Sequence, residues 1–258
     1  MGLTRRPRAI AAAVAALSVT VCLGVLVTPS LPQGMPRGGA AAGGLVRAPD
    51  HLGDPHDAII AVRTRRPIVA LTFDDGPDPR FTPQVLRLLR ASHAHATFFA
   101  IGRRIGAHPQ LARAIVAAGN EVADHTLDHV LLPPLSEASI RHQIAGGLRA
   151  ARRAGLPATP YFRPPHGFFD ARVSLAAARL GLRTIGWNAV VERALRGRTP
   201  ARAAAFLAAT LEPGSIVLAH DGRNNRSSTV AAVARLLPAL RARGIRVVSV
   251  SELLAARS

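Results

Sequence analysis

Between residues 58 and 258, short apolar runs alternate with longer amphipathic stretches. Ile68 to Phe73 is apolar except at Thr72 and ends in a polar turn, the pattern of a strand buried on both faces. From Phe81 to Ala91 the apolar positions Phe81, Val85, Leu86, Leu88 and Leu89 fall on one helical stripe. Thr97–Ile101 predicts the next strand, Pro109–Ala118 a helix opened by proline and closed by Gly119, and Glu121–Ala123 a brief strand. Ser136 to Ala154 predicts a long helix that Ser136 or Ser139 can cap and Gly155 stops. Tyr161-Phe162, Leu182–Trp187, Ile216–Ala219 and Ile245–Val250 complete the strands, with helices over Val173–Leu180, Pro200–Ala209 and Ser228–Arg243. Strands alternating with helices predict an α/β fold with a parallel sheet. About seven strands in one domain of about 200 residues favour a barrel over an open sheet.

The beginning of the chain breaks this rhythm. Arg5, Arg6 and Arg8 precede a run from Ala9 to Val27 interrupted only by Ser18, Thr20 and Gly24. A basic start followed by an apolar run reads as a secretory signal peptide or a membrane anchor over residues 1–30. At 1.5 Å per residue the run would span about 28 Å, close to the hydrocarbon thickness of a bilayer. No A-x-A cleavage site follows it, and cleaved signal and retained anchor stand equal. Either places the remainder in the cell envelope or outside the cell, because the arginines stay in the cytoplasm. Residues 31–57 are rich in Gly, Pro and Ala and read as a flexible linker.

Composition narrows the chemistry. Of 258 residues, 33 are Lys or Arg, all of them arginine, and the net charge is +18. That suggests a nucleic-acid binder, but the arginines are spread along the chain and aromatic residues make up only 4%. The expectation is therefore no nucleic-acid partner. The single Cys22 excludes an intrachain disulfide and a Cys-rich zinc module, so any metal must be held by His, Asp or Glu.

The unusual polar residues sit after predicted strands, where a parallel barrel places its active site. Asp74-Asp75-Gly76-Pro77 follows the first strand, and two adjacent carboxylates there need a cation or an arginine to offset their repulsion. Asp124-His125-Thr126-Leu127-Asp128-His129 follows the third, with His125 and His129 spaced i, i+4. Arg163-Pro164-Pro165-His166-Gly167 and His220-Asp221-Gly222 follow two later strands. Singly, each is more often a turn or a structural histidine. Together they form a constellation in which two neutral histidines and one carboxylate suit a catalytic divalent cation, zinc above others.

On these residues the chain resembles the polysaccharide deacetylase family, the NodB-homology domain of carbohydrate esterase family 4, over roughly Pro67 to Leu254. The resemblance implies a distorted (β/α) barrel with fewer than eight strands. It implies that Asp74 is the general base and that Asp75, His125 and His129 hold the metal. It implies further that Arg163 orients the base, that His220 is the general acid, and that Leu218 lines the acetyl pocket. Pro165, His166, Gly167 and Trp187 are expected to contact substrate, with a backbone N–H near His166 donating to the oxyanion. The aromatic residue usual after the two prolines is His166 here. The family's fourth motif, two aspartates and a second tryptophan, is absent from Trp187-Asn188-Ala189-Val190-Val191-Glu192-Arg193-Ala194. Glu192 can replace the lost carboxylate or be a solvated residue beside Arg193; the solvated reading is preferred.

Other residues carry less. Phe168 and Phe169 can contact a sugar ring, with core packing preferred, and Asn224, Asn225 and Arg226 can touch substrate. The expected activity is metal-dependent removal of N-acetyl groups from peptidoglycan or chitin-type glycan by a monomer. An O-acetyl esterase acting on xylan-type glycan and a catalytically silent sugar-binding module are the alternatives.

Overall fold

The computed structural model describes Met1 and residues 58–168 and 170–258. Apart from Met1, the expected export segment and linker lie outside the described residues, as does Phe169. The described chain runs β1 (Ile68–Asp74), α1 (Thr82–Ala91), β2 (Thr97–Ala100), α2 (Gly102–Ala107), α3 (Pro109–Ala117), β3 (Glu121–Asp124), α4 (Glu137–Arg153) and β4 (Tyr161–Phe162). After one 3-10 turn at Pro165–Gly167 come α5 (Ala171–Arg179), β5 (Arg183–Thr184), β6 (Ala189–Val190), α6 (Val191–Leu195), α7 (Pro200–Thr210), β7 (Ile216–His220), α8 (Ser227–Ala242), β8 (Arg246–Val248) and α9 (Val250–Ala255).

Seven strands form one path, β5-β4-β3-β2-β1-β7-β6, and β8 pairs with β1. All the pairings are parallel. β8 takes Ile68–Ala70 and β2 takes Thr72–Asp74, while β7 pairs along Ala70–Asp74. The sheet curls into the expected distorted (β/α) barrel. Residues 59–62 run between β5 and the segment that leads into β7. Ile59 exchanges backbone hydrogen bonds with Thr184 and Gly186 beside β5, and Val62 bonds to Gly214 just before β7.

The two-residue period of a strand decides which side chains reach the barrel interior. Val69, Leu71 and Phe73 of β1 join Phe98 of β2, Val217 and Ala219 of β7 and the helices in one apolar cluster. Ile68 and Ala70 instead join Phe99, Tyr161, Ile185, Ile216 and Val248 in a second. Thr72 and Asp74 continue that interior row, and the register sets Asp74 beside His220 of β7. A third cluster seats α4 and α5 on β4 through Ile140, Ile144, Phe162 and Val173.

Several elements depart from the sequence expectation. Only Arg183–Thr184 of the Leu182–Trp187 run forms a strand, because Ile185 is claimed by Ile59 and the chain then turns away. The expected strand to Val250 stops at Val248, where Ser249 and Glu252 form a capping box that starts α9. α2 was not expected; its sequence, Gly-Arg-Arg-Ile-Gly-Ala, holds two glycines and its N-cap is Ile101. β6 and α6 were likewise not expected, and they carry Glu192. No helix among the described residues is long and apolar enough to cross a membrane.

Candidate active site

The four polar clusters meet at one end of the sheet. Asp74 closes β1, His125 follows β3, Arg163 follows β4 and His220 closes β7. Backbone bonds align these ends: His125 N–H donates to Ala100, Arg163 N–H to Asp124 and Asp221 N–H to Asp74.

Arg163 is the largest fully buried side chain among the described residues. A buried guanidinium is tolerable only when its donors are satisfied. Its Nη1 donates to Asp74 Oδ1 at 2.7 Å and to Thr72 Oγ1 at 2.8 Å, Nε to the Ile185 carbonyl at 3.0 Å, and Nη2 to the Gly186 carbonyl at 2.9 Å. Its plane lies over the rings of Phe99 (4.0 Å) and Trp187 (5.3 Å). Thr72 and Phe99 were not anticipated as partners. Nothing in a lone Thr or Phe within an apolar run signals such a role, which arises from their inward-facing strand positions.

Asp75, His125 and His129 bring one ligand atom each within 4.8 Å of one another. His125 Nδ1 lies 2.7 Å from the Arg163 carbonyl, which fixes the proton there and frees Nε2. That Nε2 is 3.7 Å from Asp75 Oδ1 and 3.8 Å from Asp74 Oδ2. His129 Nε2 is 3.0 Å from the same Oδ1. Oδ1 of Asp75 is buried and has no hydrogen-bond partner meeting normal geometry. Burial would raise the Asp75 carboxyl, but the His129 contact and the charges of His125, His129 and His220 outweigh it and lower it to about 2. Burial pushes His125 down to about 4, so it is neutral at pH 7. An ionised carboxylate, two imidazoles and an orphaned acceptor aimed between them fit a divalent cation of the zinc class.

His220 and Glu192 form a second pair. His220 Nδ1 lies 3.2 Å from Glu192 Oε1, which also accepts the His220 backbone N–H (3.1 Å) and the Thr229 hydroxyl (3.0 Å). Burial would depress His220, yet Glu192 and the two aspartates raise it. Glu192 itself is lowered: burial raises it, but the contacts and charge of His220 prevail. The preferred reading of Glu192 as a solvated glutamate is therefore incorrect. In the first turn of α6, Glu192 points inward while its neighbour Arg193 stays exposed.

The remaining candidates are placed as follows. Pro165 and Leu218 are buried, and Leu218 pairs with Thr72 across β1 and β7. His166 has φ 61° and is exposed, its ring 4.7 Å edge-on to His129. A Cβ on Gly167 would lie 2.5 Å from the Trp187 ring. Phe168 is exposed rather than core, because the loop turns it outward after Gly167. Asn224 and Asn225 are exposed, whereas Arg226 reaches Asp75 Oδ2 at 3.3 Å. Arg223 Nη1 touches His129 Nδ1.

A sequence profile described as "Polysaccharide deacetylase" matches residues 61–185. The chain is 38% identical over 197 residues to a peptidoglycan-N-acetylglucosamine deacetylase of Bacillus cereus, spanning 72% of this chain and 88% of that one. The chain belongs to the polysaccharide deacetylase family. It is also 40% identical to a chitooligosaccharide deacetylase of Sinorhizobium fredii, over 70% of this chain and 89% of that one. Among solved structures it resembles a family 4 carbohydrate esterase of Streptomyces lividans in complex with acetate, with TM-score 0.65, 29% identity and coverage of 72% and 93%. It also resembles a CE4 pseudoenzyme of Bacillus anthracis, with TM-score 0.71, 27% identity and coverage of 78% and 70%. Relatives at this identity over most of the chain make this protein a polysaccharide deacetylase; the pseudoenzyme shows that fold alone does not establish turnover.

Proposed function

We propose that the protein hydrolyses the N-acetyl amide of N-acetylglucosamine units in peptidoglycan or chitin-type glycan. The carrying observation is the convergence of Asp75, His125 and His129 beside the Arg163-paired Asp74. When bound by those three residues, a divalent cation such as Zn²⁺ supplies Lewis-acid polarisation of the acetyl carbonyl and acidifies water.

The chain's own residues supply the proton transfers. Asp74 takes the proton of the attacking water as the C–O bond forms. Arg163 holds Oδ1 of Asp74, so Oδ2 is the oxygen available as base. His220 keeps Nδ1 toward Glu192, which leaves Nε2 to protonate the departing sugar amine as the C–N bond breaks. Acetate and a free amine result. The N–H groups of Gly167 and Phe168 are donated to Pro164 and Pro165. His166 N–H is then the loop's donor for the developing oxyanion. Buried Leu218 closes the space for the acetyl methyl, and Trp187 and the Pro165–Gly167 turn form the adjoining wall.

The basic segment and apolar run of residues 5–27 support a secreted or membrane-anchored catalytic domain, a monomer whose partner is the acetylated glycan of a cell wall. The test is acetate release from N-acetylglucosamine oligomers and peptidoglycan against acetylated xylan, with and without a chelator. N-acetyl release that is lost with chelator, regained with Zn²⁺ and absent in Asp74→Asn is expected. Release from xylan alone would favour the esterase, and no release from any of them the silent module.

A further inference from the structure

The loop after β7 wraps the outer side of Asp75. Gly222 packs so closely that a Cβ there would lie 2.1 Å from the Asp75 carbonyl oxygen. Arg226, at the N-cap of α8, anchors its Nε on the Gly222 carbonyl at 2.8 Å and sends Nη2 to Asp75 Oδ2 at 3.3 Å. Both side chains are largely buried, at 12% and 7% exposure, so solvent screens this pair little. The two oxygens of Asp75 are thus distinguished. Oδ2 faces a fixed cation, and Oδ1 faces the two imidazoles without a hydrogen-bond partner.

We infer that Arg226 is a positioning residue that restricts Asp75 to one-oxygen coordination and withdraws charge from it, trading metal affinity for a more electron-poor cation. The inference rests on the metal centre proposed above. An outer partner that accepts a hydrogen bond from a ligand makes the ligand more basic; a guanidinium donating a hydrogen bond to a carboxylate makes it less basic. The same positive charge repels a cation held on the far side of the carboxylate. The arrangement repeats the pairing of Asp74 with Arg163, so each adjacent carboxylate has its own arginine.

Opposite movement of two readouts separates this role from a merely structural one. Metal affinity of the full chain is measured by chelator competition with Zn²⁺, without substrate, and kcat on an N-acetylglucosamine oligomer at saturating Zn²⁺. Arg226→Met is expected to bind Zn²⁺ about tenfold tighter while kcat falls about tenfold, effects of the size known for partners of metal ligands. Arg226→Lys keeps the charge and is expected to retain wild-type Zn²⁺ affinity. Weaker Zn²⁺ binding in Arg226→Met, or no change in either readout, overturns the inference. A wild-type chain that binds no Zn²⁺ would defeat the metal-centre reading itself, a failure visible before any variant is compared.

Discussion

A titratable side chain here takes its role from what faces it. His220 contacts Glu192 and feels the charges of Asp74 and Asp75, and its pKa is raised above the ordinary histidine value. The general-acid role proposed for His220 needs the protonated ring, so on that proposal activity is present below that pKa and lost as pH rises through it. Replacing Glu192 by Gln removes the charge that favours the imidazolium and lowers the pKa. Glu192→Gln should therefore move the alkaline limb of the kcat profile to lower pH and cut kcat at pH 8 by about tenfold. A pH–rate series on an N-acetylglucosamine oligomer checks this; an unmoved limb would mean that Glu192 serves only the α6–β7 packing. Glu192 was misjudged from sequence because adjacency to Arg193 suggested a surface pair. Neighbours one apart on a helix point different ways, and only the fold shows which one points in.

Among the elements, close approach of α2 and α4 seats the turn that carries His125 and His129. A Cβ on Gly102 would sit 3.0 Å from the Gly147 Cα, and one on Gly147 would fall 1.8 Å from Asp124 Oδ1. Asp124 is buried, neither oxygen has a partner of normal geometry, and burial raises its pKa well above the usual carboxylate range. It directly precedes His125, so a helix pushed outward at Gly147 displaces the histidine turn. Gly147→Ala is expected to destabilise the fold by about 1–3 kcal/mol through overpacking. Gly106→Ala in α2 meets nothing within 4 Å and should instead stabilise by about 0.5–1 kcal/mol through lost chain entropy. Thermal melts of the two variants should shift in opposite directions; a shift in the same direction would show that α2–α4 packing does not limit stability. Glycines stand in both segments of the sequence, but without the fold a glycine in contact cannot be told from one in open space.

For the whole molecule, the closing segment matters most. Ile59, Ala61 and Val62 are 6%, 7% and 3% exposed, and their backbone joins residues beside β5 to those before β7. Removing residues up to Val62 exposes the two strand edges they bridge and about three apolar side chains, at roughly 1.5–3 kcal/mol for each large one. A chain beginning at Arg63 should melt well below one beginning at Ala58; equal melting temperatures would show that the barrel holds without the bridge. Some of the arginines behind the charge of +18 have fixed partners: Arg163 pairs with Asp74 inside the barrel, Arg226 with Asp75 and Arg104 with Asp78, and Arg223 touches His129.

By itself the sequence determined the strand–helix alternation, the parallel class and the four strand ends that carry the polar clusters. Those are local: apolar periodicity and turn residues act over a few positions along the chain. It also limited any metal to histidine and carboxylate ligands, since the chain has one cysteine. Only the tertiary structure decided the partners. Thr72 and Phe99 around Arg163, Glu192 behind His220 and Arg226 behind Asp75 come from different elements, and Arg226 lies 151 positions from its carboxylate. Such contacts depend on sheet register and on which face each side chain takes, and a one-residue slip would turn every one of them away.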